Sequence, residues 1–385
     1  MGAVAPLNNI PQLRDLCDAH SSQTSILQVP DGTPDWAIEG NYIHNKRSNY
    51  FNIGLYASNS GERLFLMKQP LPALVMLLLA DIDGAPAVLL SLRTEPGLIG
   101  LTNLSTTIQS SPSNYLRQHG GKATPFIEIA ANPLSFGEIF YDGEHYDWGD
   151  YYIHKVKRFL IIKLHSAMVA PTGLLWVDLA TSKKLLLEDH LITNDLRVSL
   201  ILMSSPPKGA RCNKLQQVKP AEVPKLTLSL APCPPAGFID DRGTRISYFR
   251  TETETREVST WVQPLLVPKT SMQICLLSAQ RAGERVFSIE QKTQPGLLDL
   301  HLWFPTSSPA TPVAQQIATS AEGGRFWNYL INLKLQITDS TTDTAQGLQP
   351  NVKWVTRDEL SSLVATPLCT SLELRMAWSL VIGSE

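Results

Sequence analysis

Gln69-Pro70 followed by Glu95-Pro96-Gly97 stands in the first half of the chain, and Gln263-Pro264 followed by Gln294-Pro295-Gly296 stands in the second. The correspondence continues downstream. Trp176-Val177 precedes Asn194-Asp195-Leu196-Arg197, and Trp354-Val355-Thr356 precedes Ser371-Leu372-Glu373-Leu374-Arg375, with Trp and Arg 21 positions apart in both copies. A period of about 180 residues is far above the roughly 20–50 residues of a solenoid unit. The chain therefore reads as two tandem domains, each with its own core and a pocket of similar build.

Outward from these landmarks, the first 30 residues read as an entry helix, with Ile10, Leu13, Leu16 and Cys17 on one face, followed by a polar link. Strand-like segments recur at Tyr42-Ile43-His44, Tyr50 to Tyr56, Leu64 to Met67, Leu74 to Ala80, Ala87 to Arg93, Phe159 to Leu164 and Leu174 to Val177. Leu179 to His190 reads as helix, and the same order begins again at Gly237. Residues 206–235 carry Pro206-Pro207, Pro220, Pro224, Pro232 and Pro234-Pro235. Proline fixes φ and removes an amide donor, so this stretch is expected to be a linker between a first module at 31–205 and a second at 236–385. The mixture of strands and a few helices predicts an α/β (α+β) sandwich on mixed sheets.

Composition narrows the class. With 43% hydrophobic residues over 385 positions, the chain has enough apolar material for two ordinary cores. Its net charge of -2 provides no field for nucleic acid or an anionic membrane. The apolar run Leu71 to Ala80 is far short of the roughly 20 residues needed to cross a bilayer, and is expected to be a buried strand. Met1 to Asn8 has neither the basic region nor the apolar region of a signal peptide, so a cytoplasmic location is expected. Cys17, Cys212, Cys233, Cys275 and Cys369 are scattered without C-x-x-C spacing, so reduced thiols are expected rather than a disulfide framework or a zinc site.

Two segments attract attention as chemistry. Leu104 to Lys122 concentrates hydroxyls and amides, with Gln109, Asn114, Tyr115, Arg117, His119 and Lys122 flanking or near Gly120-Gly121. Arg117 and Lys122 suit a diphosphate, His119 titrates near neutral pH, and the glycine pair permits close backbone approach. A solvated surface loop has the same composition for conformational reasons alone, and both readings stand. In the second half, Glu322-Gly323-Gly324-Arg325-Phe326-Trp327 places a guanidinium that can grip a diphosphate beside a stacking ring. An Arg-Glu pair closing a turn fits these residues equally. Asp195 with Arg197, and Glu373 with Arg375, recur at the same place and are expected to be structural pairs or contacts between domains. Asp147, Trp148, Asp150 and Tyr152, within Tyr146 to Tyr152, form an aromatic and acidic run that either lines a pocket or packs on a sheet edge. No P-loop, G-x-G-x-x-G turn, H-E-x-x-H helix or G-x-S-x-G elbow occurs.

In order and spacing, from about Trp36 to Val381, the chain resembles the NDP-hexose 2,3-dehydratases of deoxysugar biosynthesis. The likeness rests on Gly40 to Phe51, on the Glu95 to Lys122 stretch, on Arg256-Glu257-Val258 with Trp261 and Gln263-Pro264, and on Glu322 to Phe326. It implies two fused Nudix-like modules, a homodimer, and a nucleotide-sugar pocket in each module, of which one is catalytic. The Nudix box of magnesium-binding glutamates is absent from this sequence, so metal-dependent pyrophosphate hydrolysis is not expected. The implied chemistry is loss of the C2 hydroxyl from a 4-keto-6-deoxyhexose by general acid and base, without a cofactor, followed by a separate reductase that collects the product. Catalytic roles then fall to His119, Tyr115 and Asp150. Substrate contacts fall to Gln109, Asn114, Arg117, Lys122, Trp148, Tyr152, Glu322, Arg325 and Trp327.

Each half departs from the family pattern. Tyr146 to Tyr152 stands where the family's first module reads S-E-Q-G-S-R-F, so the arginine is gone and acids and aromatics replace it. The second half keeps Glu322 to Phe326 but has only Trp303 to Ser307 in place of the polar loop. An acid there disfavours a diphosphate by about 1–3 kcal/mol, and the aromatics suit an uncharged molecule. The alternative is a repurposed member acting on a non-nucleotide natural-product intermediate by dehydration, isomerisation or cyclisation.

Overall fold

The computed structural model describes residues 5–30, 33–46, 50–69, 71–118, 120–204, 228–232, 237–338 and 351–385. Its architecture is mixed α/β, mostly strand, in four sheets. Most of the proline-rich segment expected to be a linker lies outside the described residues.

Ala73–Ile82 is almost wholly apolar and buried, as a strand covered on both faces must be. Val156–Leu164 runs parallel to it and Ala85–Thr94 antiparallel, with Gly137–Tyr146 and Leu174–Asp178 at the two edges. The second half builds a sheet of the same order and sense. Met272–Arg281 lies between the parallel Leu330–Thr338 and the antiparallel Glu284–Lys292, flanked by Val313–Ser320 and Val352–Thr356. The first sheet also carries Ile108–Ser110, which pairs with Ala73–Ile82 through Val75 and Gln109. Among the described residues nothing pairs with Met272–Arg281 at the equivalent place, in keeping with the shorter second copy.

The remaining described strands form two further sheets. Trp36–Glu39, Tyr42–Asn45, Asn52–Ser58 and Arg63–Lys68 form an antiparallel meander that Tyr152–Ile153 joins in parallel. Arg245–Thr253 and Thr260–Val267 form a hairpin from the second half, and Thr24–Val29 completes its sheet. Residues 24–29 thus form a strand where the sequence reads as a link. The entry helix is Ile10–Ser21, capped by the Asn9 side chain, with Leu13 and Cys17 buried. Among the described residues no helix is long and apolar enough to cross a membrane.

Asn194–Ser204 and Leu372–Gly383 are buried helices that pack on one another. Asp195 and Arg197 turn to different partners, because residues two apart on a helix do not share a face. Arg197 donates to Leu186 O and Ser379 Oγ, whereas Asp195 meets Lys157. Arg375 donates to Thr370 O and Tyr146 O. Burial pulls Arg197 down to about 9 and Arg375 to about 10. One apolar core runs through both halves, with Leu77, Val88 and Phe159 in the same cluster as Leu276, Phe287, Leu333 and Trp378.

The repeated Pro-Gly turns explain this continuity. Gly97 N–H donates to Gly323 O at 2.9 Å, and Gly97 O accepts from Asn328 N–H at 3.0 Å. In the reciprocal contact, Gly296 N–H donates to Gly149 O at 2.6 Å, and Gly296 O accepts from His154 N–H at 2.9 Å. Each half therefore lays its turn on the loop beyond the other half's edge strand. A Cβ on Gly97 would lie 1.5 Å from Phe326 O, and one on Gly296 would lie 1.8 Å from Tyr152 O. Only glycine fits at either place.

Gly97→Ala and Gly296→Ala are each expected to destabilise the protein by about 1–3 kcal/mol or more, as overpacking does. Gly324→Ala, whose nearest new contact is 3.4 Å, is the control. Thermal melts should show a lowered transition for the first two and little change for the third.

Candidate active site

Glu95 precedes the Gly97 turn, so the clasp that joins the halves also places its carboxylate. Glu95 Oε2 accepts from Gly324 N–H at 3.0 Å, and Arg93 pairs with Glu95 at 2.6 Å. Arg93 also donates to Gln109 O at 2.8 Å, tying the polar loop to the same point. From the second half, Gln263 donates to Gly324 O at 3.0 Å and is itself held by Trp261 Nε1 at 3.0 Å. A cavity of about 250 Å³ opens where these elements meet.

Its walls come from both halves. Gln109, Asn114, Lys157 and Asp195 enter from the first, and Arg256, Gln263, Glu322 and Arg325 from the second. Trp36, Tyr50, Phe51 and Trp261 provide an aromatic side. Arg325 lies 4.0 Å over the Phe51 ring and donates to Gly324 O at 2.8 Å, while its buried Nε has no hydrogen-bond partner among the described residues. Arg256 donates to Thr94 O at 2.6 Å and pairs with Glu257 at 3.0 Å.

Part of this lining belongs to a buried ionic cluster. Lys155 meets Asp147 at 2.9 Å and Glu322 at 2.8 Å. Lys157 meets Asp195 at 2.8 Å, Asp147 at 3.1 Å and Glu322 at 3.6 Å. Burial opposes the Lys157 charge, but the carboxylates of Asp147, Asp195 and Glu322 outweigh it and hold the ammonium well above the ordinary lysine value. Burial likewise opposes the Glu322 and Asp147 charges, and the two lysines overcome it, so both carboxyls titrate below their usual range. Asp195 goes the other way: burial outweighs Lys157 and raises its pKa. Two carboxyls of one cavity, Asp195 and Glu322, are thereby driven apart, as a site for acid–base work requires.

Of the residues singled out in the sequence, Gln109, Asn114, Glu322 and Arg325 line this cavity. His119 lies outside the described residues. Tyr115 packs on an apolar cluster, Arg117 is exposed and donates to Gly121 O at 3.1 Å, and Lys122 is exposed. Tyr152 sits behind the floor, its hydroxyl donating to Glu322 at 3.2 Å, and Trp327 stacks on Phe249 at 4.0 Å. Trp148 and Asp150 belong to the reciprocal contact, where the Gln294 amide donates to Asp150 at 3.0 Å and to Glu373 at 2.7 Å. Trp148, Tyr151 and Leu297 are buried there. Burial raises the Asp150 and Glu373 carboxyls. Among the described residues no His, Cys, Asp and Glu group is placed to hold a metal ion.

Lys157 and Arg93 do not stand out in the sequence, Arg256 enters there only through the resemblance and without a role, and Asp195 reads there as structural. A signal for Lys157 is nevertheless present. It lies on the strand face of Phe159 and Ile161, so period-two alternation turns a lysine inward, where it needs a carboxylate partner.

The cavity thus gathers cations, amides and carboxyls beside an aromatic side. Residues 12–203 match the family described as NDP-hexose 2,3-dehydratase. The chain is 24% identical to a dTDP-4-dehydro-6-deoxy-alpha-D-glucopyranose 2,3-dehydratase of Streptomyces violaceoruber, over 68% of this chain and 70% of that protein. It is 21% identical to the enzyme of that name from Saccharopolyspora spinosa, over 78% of this chain and 74% of the relative. The chain belongs to the NDP-hexose 2,3-dehydratase family.

Lys155→Met leaves Asp147 and Glu322 short of a counter-charge in the interior and is expected to destabilise by about 3–5 kcal/mol, as removal of one member of a buried pair does. Denaturant unfolding of the variant against the parent measures this.

Proposed function

We propose that the protein is a carbon–oxygen lyase that removes water across C2 and C3 of a 4-keto-6-deoxyhexose carried on a nucleoside diphosphate. The observation that carries this reading is the composite cavity. The polar loop retained only by the first half and the Glu-Gly-Gly-Arg-Phe segment retained only by the second face each other across one space. Each half's departure from the family pattern thereby loses its force as an objection.

In this reading Arg325 and Arg256 receive the diphosphate, Gln109 and Asn114 hold sugar hydroxyls, and the aromatic side takes the base. The C4 ketone acidifies the C3 proton, whose removal gives an enolate. Expulsion of the C2 hydroxyl then gives an enol that becomes the 3-ketone. A reductase that consumes the diketone would follow. The shared order of the two mixed sheets supports reading the halves as duplicated Nudix-like modules. A second reading, a smaller non-nucleotide substrate, is favoured by one observation: about 250 Å³ lies below the roughly 300–1,000 Å³ of ordinary ligand sites.

Incubation with the thymidine-diphosphate 4-keto-6-deoxyglucose, with a 3-ketoreductase to trap the product, tests the proposal. Conversion to a dehydrated, reduced sugar is expected, and unchanged sugar would count against it. Arg325→Ala is expected to weaken thymidine diphosphate binding by about ten- to a hundredfold, the worth of one charged hydrogen-bonding group.

A further inference from the structure

We infer that Asp195 is the catalytic residue that takes the C3 proton from the sugar and hands it to the departing C2 hydroxyl. This rests on the dehydratase reading of the cavity. The cluster offers three carboxylates, and they are not equivalent. Asp147 does not line the cavity. Glu322 lines it, but its Oε2 is held by Lys155 at 2.8 Å and by the Tyr152 hydroxyl at 3.2 Å, and its ionised form is the favoured one. Asp195 lines it too, has one ammonium partner, Lys157 at 2.8 and 3.1 Å, and is by its raised pKa the stronger base. The charged groups facing it are Lys157, Glu322 and Asp147, and the charge of Arg375 on the packed helix also reaches it.

Its position is fixed by both halves. Thr193 Oγ1 accepts from Leu196 N–H at 3.3 Å and donates to Ser105 at 3.0 Å, while Asn194 donates to Ser320 O at 3.0 Å. Asp195 therefore projects from the first turn of a rigid, buried helix, the placement that holds a reacting group within small tolerances.

The step balances without a further reactant. The C3–H bond breaks, its proton passes to the Asp195 carboxylate, and its electron pair enters the C3–C4 enolate. The enolate collapses to form C2=C3 and breaks the C2–O bond, and the Asp195 proton leaves with the hydroxyl as water. The remaining 3-enol moves its hydroxyl proton to C2, and Asp195 ends as it began. In a gluco-configured ring the C3 hydrogen and the C2 hydroxyl lie on one face, so a single carboxyl can serve both. Lys157, at the same carboxylate, is a positioning residue and supplies positive charge near the enolate.

The test compares the parent protein with Asp195→Asn, Asp195→Glu and Glu322→Gln. It reads thymidine diphosphate binding by calorimetry, turnover with the trapping reductase, and exchange of the substrate C3 hydrogen in deuterated water. Asp195→Asn should bind thymidine diphosphate within about twofold of the parent while turnover falls about 10²–10⁴-fold, the usual worth of a general base, and C3 exchange disappears. Asp195→Glu should restore part of the rate and move the acidic limb of the kcat/KM profile. Retained exchange in Asp195→Asn, or its loss only in Glu322→Gln, overturns the inference while the dehydratase reading stands. Should Asp195→Asn fail to fold, an unmoved acidic limb in Asp195→Glu overturns it. A parent protein that neither binds thymidine diphosphate nor converts the sugar removes the underlying reading itself.

Discussion

Two glycines bear the contact on which the rest of the molecule depends. At Gly97 and Gly296 the carbonyl of the opposite half occupies the space a side chain would need. Each turn can therefore hydrogen-bond directly to the other half's backbone, and the two contacts are reciprocal. With the halves locked this way, their apolar faces merge into one core and the buried helices Asn194–Ser204 and Leu372–Gly383 lie against each other. Such close backbone approach is a use of glycine that no other residue can replace.

The two reciprocal contacts have diverged in chemistry. Around Gly97, Glu95 orients Gly324 and leaves Arg325 facing a cavity, with an ionic cluster below that carries two lysines against three carboxylates. Around Gly296, glutamine stands in place of that glutamate, Tyr151 follows Asp150 where Arg325 follows Gly324, and Trp148 and Leu297 are buried. One contact borders a polar chamber, and the other buries Trp148 and Leu297.

Much of the sheet was legible. The apolar runs around Leu74 to Ala80 and Phe159 to Leu164 announced buried strands, and the missing loop of the second half corresponds to the Ile108–Ser110 ladder that, among the described residues, only the first sheet has. Thr24–Val29 was not legible, because its partner Arg245–Thr253 lies far along the chain and none of the strand's own residues is buried. The site was half legible. Gln109, Asn114, Glu322 and Arg325 could be chosen by residue type, but reading each half as a separate pocket hid that they share one space. Asp195 and Lys157 were obscured for a different reason: an aspartate beside an arginine suggests a local pair, whereas the helix separates the two and the true partner comes from a distant strand.

The resemblance in the sequence implied a nucleotide pocket in each half, whereas the polar cavity beside the Gly97 turn is lined by residues of both. Calorimetric titration of the whole chain with thymidine diphosphate measures the difference through its stoichiometry. A single site per chain is expected of a shared cavity; two independent sites per chain, one for each half, would contradict it.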